Sequence, residues 1–487
     1  MRSGVVGRAS APVNASRPAG LAARAAARYP AGAARRPPAP RHPLPPMRLL
    51  APLLLAALLA PAPGAAARPA PPVHAPFRAD TTWREHDAAA DAARRAGDWT
   101  AYRHHVGRMY DEVGNHPSLV LALARAETRL GRAPQAMEWL GRYAAMGLLL
   151  DPADTAWAAL RAHPGWPSLA RRASVDNAAP VTAAATHFAL PDSAFMPEGI
   201  ARDPADGALY LSGLRDGSIL RRGADGRFAM FVAPAGAGEG RWAMLALAVD
   251  PGRRLLWATT AAAPYFRGHQ PADSGRTAVL AFELGSGRMV RRAELPRDGR
   301  RHTLGDMTVA ADGTVYASDS DSGELYRLAP GADSLALLVP RGVLASPQGP
   351  ALAFDGRRVL VADYLRGIAA VDAATGRVAW LAHADTVPVS GIDGLVRDGH
   401  ALVAVQNGTR PKRLLRYELD PAETRITGWR VLESGTPLLT EPTHALLAAP
   451  DTLLFIADSG WDRLAPDGTV KPGMRLEPAH VLRRAPR

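Results

Sequence analysis

Five polar side chains stand at comparable places in a series of similar segments within residues 186–487. They are three carboxylates, one amide and one imidazole: Glu198, Asp306, Gln348, Asp393 and His444. Three carboxylates brought to one point repel one another unless a cation lies between them. Hard oxygen donors of this sort suit Ca²⁺, or Mn²⁺ or Mg²⁺. The pattern therefore predicts a divalent cation wherever the fold brings the starts of these segments together.

The segments themselves predict such a fold. Each has a small or acidic residue with Gly, a short apolar strand, an Asp-Gly-type turn, a second apolar strand and a further hairpin. They begin at Pro197, Leu245, Leu304, Pro347, Ile392 and Pro442. A spacing of roughly 40–60 residues with about four strands per unit is typical of β-propeller blades. We expect an all-β six-bladed β-propeller, whose first strands line a central channel.

Two features refine this prediction. The last segment is short of strands, so we expect residues 183–190 to complete the sixth blade and close the ring. Besides His444, we expect His302, Gln406 and Asn407 to contact substrate at the channel mouth; the alternative for Gln406 and Asn407 is a turn before Gly408. No Gly-rich phosphate loop, G-x-S-x-G elbow or H-E-x-x-H motif occurs in the sequence.

Three of the segment openings carry a family resemblance. PEG (197–199), PQG (347–349) and DG (393–394) resemble the openings of the senescence-marker/gluconolactonase (regucalcin-like) six-bladed propellers. The resemblance implies a divalent metal held by Glu198, Gln348 and Asp393, most typically Ca²⁺, with Mn²⁺, Mg²⁺ or Zn²⁺ as alternatives. It also implies hydrolysis of lactones or related esters. The metal would polarise the carbonyl and an acidic ligand would activate water.

By that resemblance Asp393 is the catalytic base, and Asp306 is a further metal ligand or an alternative base. Two positions depart from the family pattern. Gln348 stands where the family has Asn, one methylene shorter, and Gly305 stands where Asn is common. The longer amide can reach a metal, but the family geometry does not carry over automatically.

A helical region precedes the strands. Residues 83–96, 99–113, Pro117–Leu130 and Pro134–Met146 show helix-favouring composition and apolar spacing of three and four. The turn glycines Gly97 and Gly131 lie 34 positions apart in the sequence, which is the period of the tetratricopeptide helix-turn-helix unit. We expect a small all-α tetratricopeptide-like domain that either orients its neighbour or binds a protein partner.

Residues 1–68 contain ten Arg and no Asp or Glu, so they hold most of the net charge of +12. A polybasic nucleic-acid surface is therefore disfavoured for the rest of the chain. Residues 47–67 have the order of a secretory signal peptide: Arg48, an apolar run, two prolines and small residues. The run is too short for a spanning helix. We expect a periplasmic or secreted protein with no membrane span after cleavage.

The chain has no cysteine, which excludes disulfides, Cys-ligated metals and thiol catalysis. The predicted organisation follows from these patterns. It comprises a disordered or mis-assigned extension (1–46), the signal peptide (47–67), a linker (68–83), the helical domain (84–174), a second linker (175–185) and the propeller (186–487). Two functions stay open: an exported lactonase-like hydrolase, or a non-catalytic propeller that binds a small ligand while the helical repeats hold a protein.

Overall fold

The computed structural model describes residues 82–236 and 238–486. These residues belong to one compact unit, Pro69–Arg487. The predicted extension and signal peptide, and nearly all of the first linker, lie outside the described residues. Within the described part of the chain, no helix is both long enough and apolar enough to cross a membrane.

Two antiparallel helix pairs come first. The helices are α1 (Thr82–Ala96), α2 (Trp99–Val113), α3 (Pro117–Arg129) and α4 (Ala133–Ala145), followed by a 3₁₀ helix (Thr155–Leu160), α5 (Trp166–Arg171) and a π-helical turn (Arg172–Asp176). Gly97 and Gly131 both adopt positive φ, 74° and 73°, as the tight turns between paired helices require. Ala136 is fully buried where α4 approaches its neighbours. The predicted helices are thus confirmed to within about one residue at each end.

In the part of the chain that the structure describes, twenty-four strands form six four-stranded antiparallel sheets. Blade 1 has β2 (Pro197–Arg202), β3 (Leu209–Gly213), β4 (Ile219–Arg222) and β5 (Phe228–Val232); blade 2 has β6 (Ala243–Asp250), β7 (Leu255–Ala261), β8 (Thr277–Glu283) and β9 (Met289–Glu294). Blade 3 has β10 (Leu304–Val309), β11 (Val315–Asp319), β12 (Glu324–Leu328) and β13 (Ala336–Val339). Blade 4 has β14 (Pro347–Leu352), β15 (Arg358–Asp363), β16 (Gly367–Asp372) and β17 (Val378–Trp380). Blade 5 has β18 (Ile392–Asp398), β19 (Ala401–Gln406), β20 (Arg413–Leu419) and β21 (Ile426–Ser434).

The sixth blade closes the ring. It contains β22 (Ala445–Ala449), β23 (Thr452–Ile456), β24 (His480–Arg484) and, at its outer edge, β1 (Ala185–Ala189). Strand β1 pairs with β24, so the first strand of the propeller completes the last blade. The predicted six-bladed propeller and its closure by an early strand are both confirmed. Closure leaves each sheet flanked by two neighbours and gives the ring no open end.

Neighbouring blades pack face to face, and the apolar core lies in layers between them. Between blades 4 and 5, for example, Leu360 and Ile368 pack against Leu402 and Leu415. Strands buried on both faces read as nearly continuous apolar runs, such as ALVAV in β19. The polar residues of these strands lie mainly at the strand ends. The starts of the inner strands meet at the mouth of the channel.

The helical domain docks on blades 4 and 5 through a buried arginine. Arg413 at the start of β20 is fully buried. Its guanidinium donates to the carbonyl oxygens of Met146 and Gly147 just after α4, both at 2.8 Å. Carbonyls at a helix C-terminus have no partner within the helix, and a cation there also complements the helix dipole. Arg142 adds an ion pair to Asp385 at 3.2 Å.

Candidate functional site

The candidate site lies where the inner strands begin, and irregular strand pairing turns its side chains. The β2–β3 ladder skips between Pro197 and Ile200, which brackets Glu198. The β10–β11 ladder shifts next to Asp306, and the β18–β19 ladder skips Asp393 between Ile392 and Gly394. A bulge leaves a residue outside the ladder and re-aims its side chain. Bulges therefore present Glu198 and Asp393, whereas Asp306 stays paired with Ser318, next to a bulge at Gly305.

Glycines in the openings allow neighbouring inner strands to approach closely. A Cβ on Gly349 would lie 2.6 Å from the backbone nitrogen of Leu395 and 2.7 Å from the carbonyl oxygen of Asp393. A Cβ on Gly394 would lie 2.9 Å from the carbonyl oxygen of Thr443. Neither glycine has a positive φ, so close approach rather than backbone conformation requires them. Gly349 in PQG and Gly394 in IDG therefore let each blade opening pack directly against the opening of the next blade.

His444 of blade 6 ties two other blades together. Its Nδ1 lies 2.6 Å from the carbonyl oxygen of Glu198, and its Nε2 hydrogen-bonds to Oδ1 of Asp306. A carbonyl oxygen only accepts, so Nδ1 carries a proton. Burial opposes the charge of His444, but the carboxylates of Asp306, Glu198 and Asp393 outweigh it and raise the pKa of His444 to about 10. The ring is therefore an imidazolium at neutral pH.

Asp306 is held on both sides. Its Oδ1 contacts His444, and its Oδ2 accepts from the backbone N–H of Gly349 at 2.8 Å. Each oxygen of Asp306 thus has one donor, and since a carboxylate oxygen carries two lone pairs, its roles as a metal ligand or as a base stay predictions. Through these contacts Asp306 orients His444 and fixes the opening of blade 4.

Glu198 is buried and oriented by a tryptophan. Trp461 donates from Nε1 to Oε2 of Glu198 at 2.6 Å. The indole also stacks edge-on against Tyr265, with ring centroids 4.7 Å apart. Trp461 lies in the segment between β23 and β24, which packs on the loops of blades 1 and 2 through Leu464. This packing holds Trp461 against Glu198.

Asp393 is oriented by an amide on the adjacent strand end. Asn407 donates from Nδ2 to Oδ2 of Asp393 at 2.6 Å and to the carbonyl oxygen of Pro442 at 3.0 Å. Its own Oδ1 accepts from the hydroxyl of Tyr364 at 3.0 Å. Asn407 was predicted to contact substrate, but these bonds occupy its amide and make it a support for Asp393.

The two remaining carboxyl groups resist ionisation. Burial first, and then the charge of Asp393, raise the pKa of Glu198 to about 8. Burial and the charge of Asp306 raise the pKa of Asp393 to about 7. Both shifts occur although His444 and the donor bonds from Trp461 and Asn407 act in the opposite direction. A single imidazolium therefore does not balance the three carboxylates, and the site favours an additional cation.

Gln348 lies in space that a smaller neighbour leaves open. A Cβ on Gly305 would be 3.7 Å from Oε1 of Gln348, so any longer side chain at 305 would meet that oxygen. The Nε2 group donates to Ser346 Oγ at 3.3 Å, which orients the amide. Gly305 and Gln348 thus depart from the family pattern together: the side chain missing at one position makes room for the longer amide at the other.

His302 belongs to a second, separate cluster. Its Nδ1 lies 2.6 Å from Asp319 and its Nε2 lies 3.1 Å from Asp298, while Glu324 is 3.8 Å away. The hydrogen bond to Asp319 is the main cause that raises the pKa of His302 to about 9. The residue was predicted to face the mouth. Its contacts instead make it the buried cation of an ion-pair network beside blade 3.

Gln406 also departs from its predicted place. It is fully buried, and its Nε2 donates to the carbonyl oxygens of Pro388 and Ser390 at 3.0 and 2.8 Å. Its Oε1 accepts from Arg413 Nε at 2.7 Å. The amide therefore supports the arginine that binds the helical domain, and no surface is left for a substrate.

Sequence reasoning missed Trp461 and Tyr364. Trp461 lies in the segment SGWDRLAPDG (459–468), and Tyr364 follows the second strand of blade 4. A large aromatic residue directly after a strand end or a Gly was the available signal. Neither could be paired with its partner from the sequence, because Glu198 lies 263 positions from Trp461 and Asn407 lies 43 positions from Tyr364.

Comparison with known proteins adds only structural similarity. No family model matches the chain, and no curated protein matches it. Among solved structures, a gluconolactonase from Xanthomonas campestris is 19% identical, with 64% of this chain and 93% of that one covered and a TM-score of 0.42. Regucalcin, a calcium-binding protein from Agrobacterium tumefaciens, is 16% identical over 61% of this chain and 93% of its own, with a TM-score of 0.41.

The PQQ-bound form of an aldose sugar dehydrogenase from Streptomyces coelicolor aligns equally well, at 14% identity over 63% of this chain and 99% of that one, with a TM-score of 0.41. The similar structures thus include gluconolactonase- and regucalcin-like propellers as well as a redox enzyme. A shared propeller does not fix an activity. The strand order of this chain, rather than these alignments, establishes its fold.

Proposed function

We propose that this protein is a metal-dependent hydrolase that opens a lactone or a related ester at the mouth of the propeller. One observation carries the proposal: the buried Glu198 and the half-buried Asp393 lie together beside the Asp306–His444 pair, and their pKa values are raised to about 8 and about 7. Carboxyl groups that are costly to ionise together are those that a bound cation would stabilise.

The residues present fit a hard divalent cation. Trp461 and Asn407 hold Oε2 of Glu198 and Oδ2 of Asp393, so a cation would bind through the opposite oxygens. The amide oxygen of Gln348 is the third donor. Oxygen donors in an irregular arrangement suit Ca²⁺ best, because it accepts variable geometry, whereas Mg²⁺ demands a near-ideal octahedron. Mn²⁺ and Zn²⁺ are the further alternatives.

The chain's own groups would position the reaction. A bound divalent cation supplies a Lewis acid for the carbonyl of the ester. Asp393 is the group to accept a proton from the attacking water, as a positioned carboxylate at the mouth. Asn407 keeps Asp393 in one orientation. His444, engaged at both ring nitrogens, holds the openings of blades 1, 3 and 6 in register.

We further propose that the protein is exported, with the signal peptide at 47–67, and that its helical domain orients the propeller or holds a protein partner. The signal-peptide order of residues 47–67 supports export. The nearly neutral net charge after residue 68 and the absence of cysteine are compatible with it. Amino-terminal sequencing of the protein purified from its natural host is the test. A mature start near Arg68 is expected, and a start upstream of Met47 would contradict export by this signal.

The central test is metal analysis of the purified protein, followed by hydrolysis of a panel of five- and six-membered lactones with and without chelator. We expect one divalent ion per chain and activity that chelation removes and Ca²⁺ or Mn²⁺ restores. Glu198→Gln and Asp393→Asn should lose both metal and activity. Asp312→Asn, which alters a carboxylate in a hairpin turn, is the matched control and should retain both.

Two results would decide against the hydrolase. Bound metal with no turnover on any lactone would favour the alternative, a propeller that binds a small ligand without catalysis. Full metal content in the Glu198→Gln and Asp393→Asn variants would refute the site itself.

A further inference from the structure

We propose that the first helix pair binds a transition-metal ion, Cu²⁺ or Ni²⁺, through His86 and His105. The inference concerns a place remote in sequence from the propeller mouth and is independent of the proposed hydrolase. It rests on three imidazoles that helices α1 and α2 bring together: His86, His104 and His105.

The geometry of this cluster comes from the antiparallel packing of the two helices. His86 lies on α1, and His104 and His105 lie on α2. The Nδ1 atoms of His86 and His105 are 2.9 Å apart. The ring of His104 is beside both, with centroids 5.2 Å from His105 and 6.4 Å from His86. Adjacent positions on one helix point about 100° apart, so His104 and His105 alone make a poor site. The facing helix supplies the missing ligand.

The nitrogen separation is close to that of two ligands at a right angle. Metal–imidazole bonds of about 2.05 Å at a right angle place two nitrogens about 2.9 Å apart, whereas a tetrahedral angle places them about 3.3 Å apart. The observed 2.9 Å matches two neighbouring ligands of a tetragonal ion. Such geometry with nitrogen ligands is typical of Cu²⁺ and Ni²⁺, while Zn²⁺ favours a tetrahedron.

The cluster also keeps its nitrogens available. The contact between the two Nδ1 atoms is a hydrogen bond only if one of them is unprotonated. A neutral imidazole is the form that binds metals. A metal would take the place of the single proton that the His86–His105 hydrogen bond needs.

The ion would cross-link helices α1 and α2. Helix α1 begins the described part of the chain, and α2 connects it to α3. Two helix pairs are fewer than the roughly three repeats that a free-standing helical array needs. A ligand from each of α1 and α2 would join the outer helix to the rest of the domain without any additional apolar core.

The experiment uses the full-length protein without a histidine tag. Isothermal titration with Cu²⁺, Ni²⁺ and Zn²⁺, and electron paramagnetic resonance of the Cu²⁺ complex, should give one site with at least two nitrogen ligands. We expect Ni²⁺ to bind more tightly than Zn²⁺. His86→Gln and His105→Gln should each weaken Cu²⁺ binding at least tenfold, while His383→Gln on the propeller should leave it within twofold.

The same titration on a Glu198→Gln/Asp393→Asn protein separates this site from the mouth, because the nitrogen-ligated Cu²⁺ signal should persist. Circular dichroism checks that each variant keeps its helices. Limited proteolysis supplies a readout that does not depend on affinity: Cu²⁺ should protect α1 in the parent protein and not in His105→Gln. Unchanged Cu²⁺ binding in both variants, or preference for Zn²⁺ over Ni²⁺, would overturn the proposal.

Discussion

The imidazole of His444 bridges the backbone of Glu198 and the side chain of Asp306, two residues that belong to blades 1 and 3. Its Nδ1–H donates to the Glu198 carbonyl oxygen at 2.6 Å. A residue of the last blade thus connects openings that lie 246 and 138 positions earlier in the chain. This bridge sets the charge balance of the mouth, because it places one fixed cation among three carboxylates.

Removing the imidazolium of His444 should make Glu198 and Asp393 harder to ionise. His444 lowers the pKa values of both Glu198 and Asp393, so His444→Gln should raise both. Cation binding, which requires the ionised carboxylates, should then shift to higher pH by roughly one unit. The pH dependence of Ca²⁺ or Mn²⁺ affinity measures this. His383→Gln is the control, and an unshifted profile in His444→Gln would contradict the charge assignment.

Replacing the carboxylate of Asp306 should lower the pKa of His444. Among the neighbouring groups that raise the pKa of His444, Asp306 has the largest effect. Asp306→Asn should therefore lower the pKa of His444 from about 10 by roughly 1–3 units. Nitrogen-15 NMR of the imidazole reads this directly. A pKa that stays near 10 would mean that Asp306 is not the partner that holds the charge.

Adding a methyl group at position 349 should push apart the openings of blades 4 and 5. In Gly349→Ala the new Cβ meets the backbone of Asp393 and Leu395, and backbone atoms cannot swing aside. We expect a loss of about 1–3 kcal/mol in the free energy of unfolding, together with weaker cation binding because Asp393 moves. Gly285→Ala is the matched control. Its Cβ would meet nothing within 4 Å, so the free energy of unfolding measured in urea should change by less than about 1 kcal/mol.

The His302 network should stabilise the fold only while its imidazole is charged. Its pKa of about 9 in the folded protein exceeds the ordinary histidine value of 6.5. The contribution is therefore complete below pH 6.5 and disappears as the pH rises through about 9. His302→Asn should be destabilised at pH 6 and approach the parent protein at pH 10. Urea unfolding across this range checks the prediction, and a pH-independent difference would contradict it.

The helical domain should loosen when Arg413 is shortened. Arg413→Met leaves the carbonyl oxygens of Met146 and Gly147 without their buried donor. A lost charge-assisted bond and an unsatisfied buried group cost about 2–4 kcal/mol. We expect faster proteolysis near residues 146–150. Arg357→Met, at an exposed arginine, should leave the cleavage rate unchanged; equal rates in both variants would show that the contact is not important.

The sequence by itself determined the architecture. Period-two and period-3.6 apolar patterns, together with Gly-containing turns, are local signals, because they reflect which face of each element is buried. They predicted four helices and six blade openings, and the short last segment predicted ring closure by an early strand. The convergence of Glu198, Asp306 and Asp393 followed from that repeat, since equivalent positions of blades meet at one mouth.

The tertiary structure alone decided how those residues are used. Whether Asp306 is free or engaged depends on His444, 138 positions away. Whether Gln406 faces the channel depends on Arg413 and the loop at Pro388. Hydrogen bonds between blades produce no periodic pattern in the sequence. Bulges change the direction in which a single side chain points, and the sequence does not show where they occur. The same reason hid the facing histidines of α1 and α2, since helix packing, not spacing along one helix, brings His86 to His105.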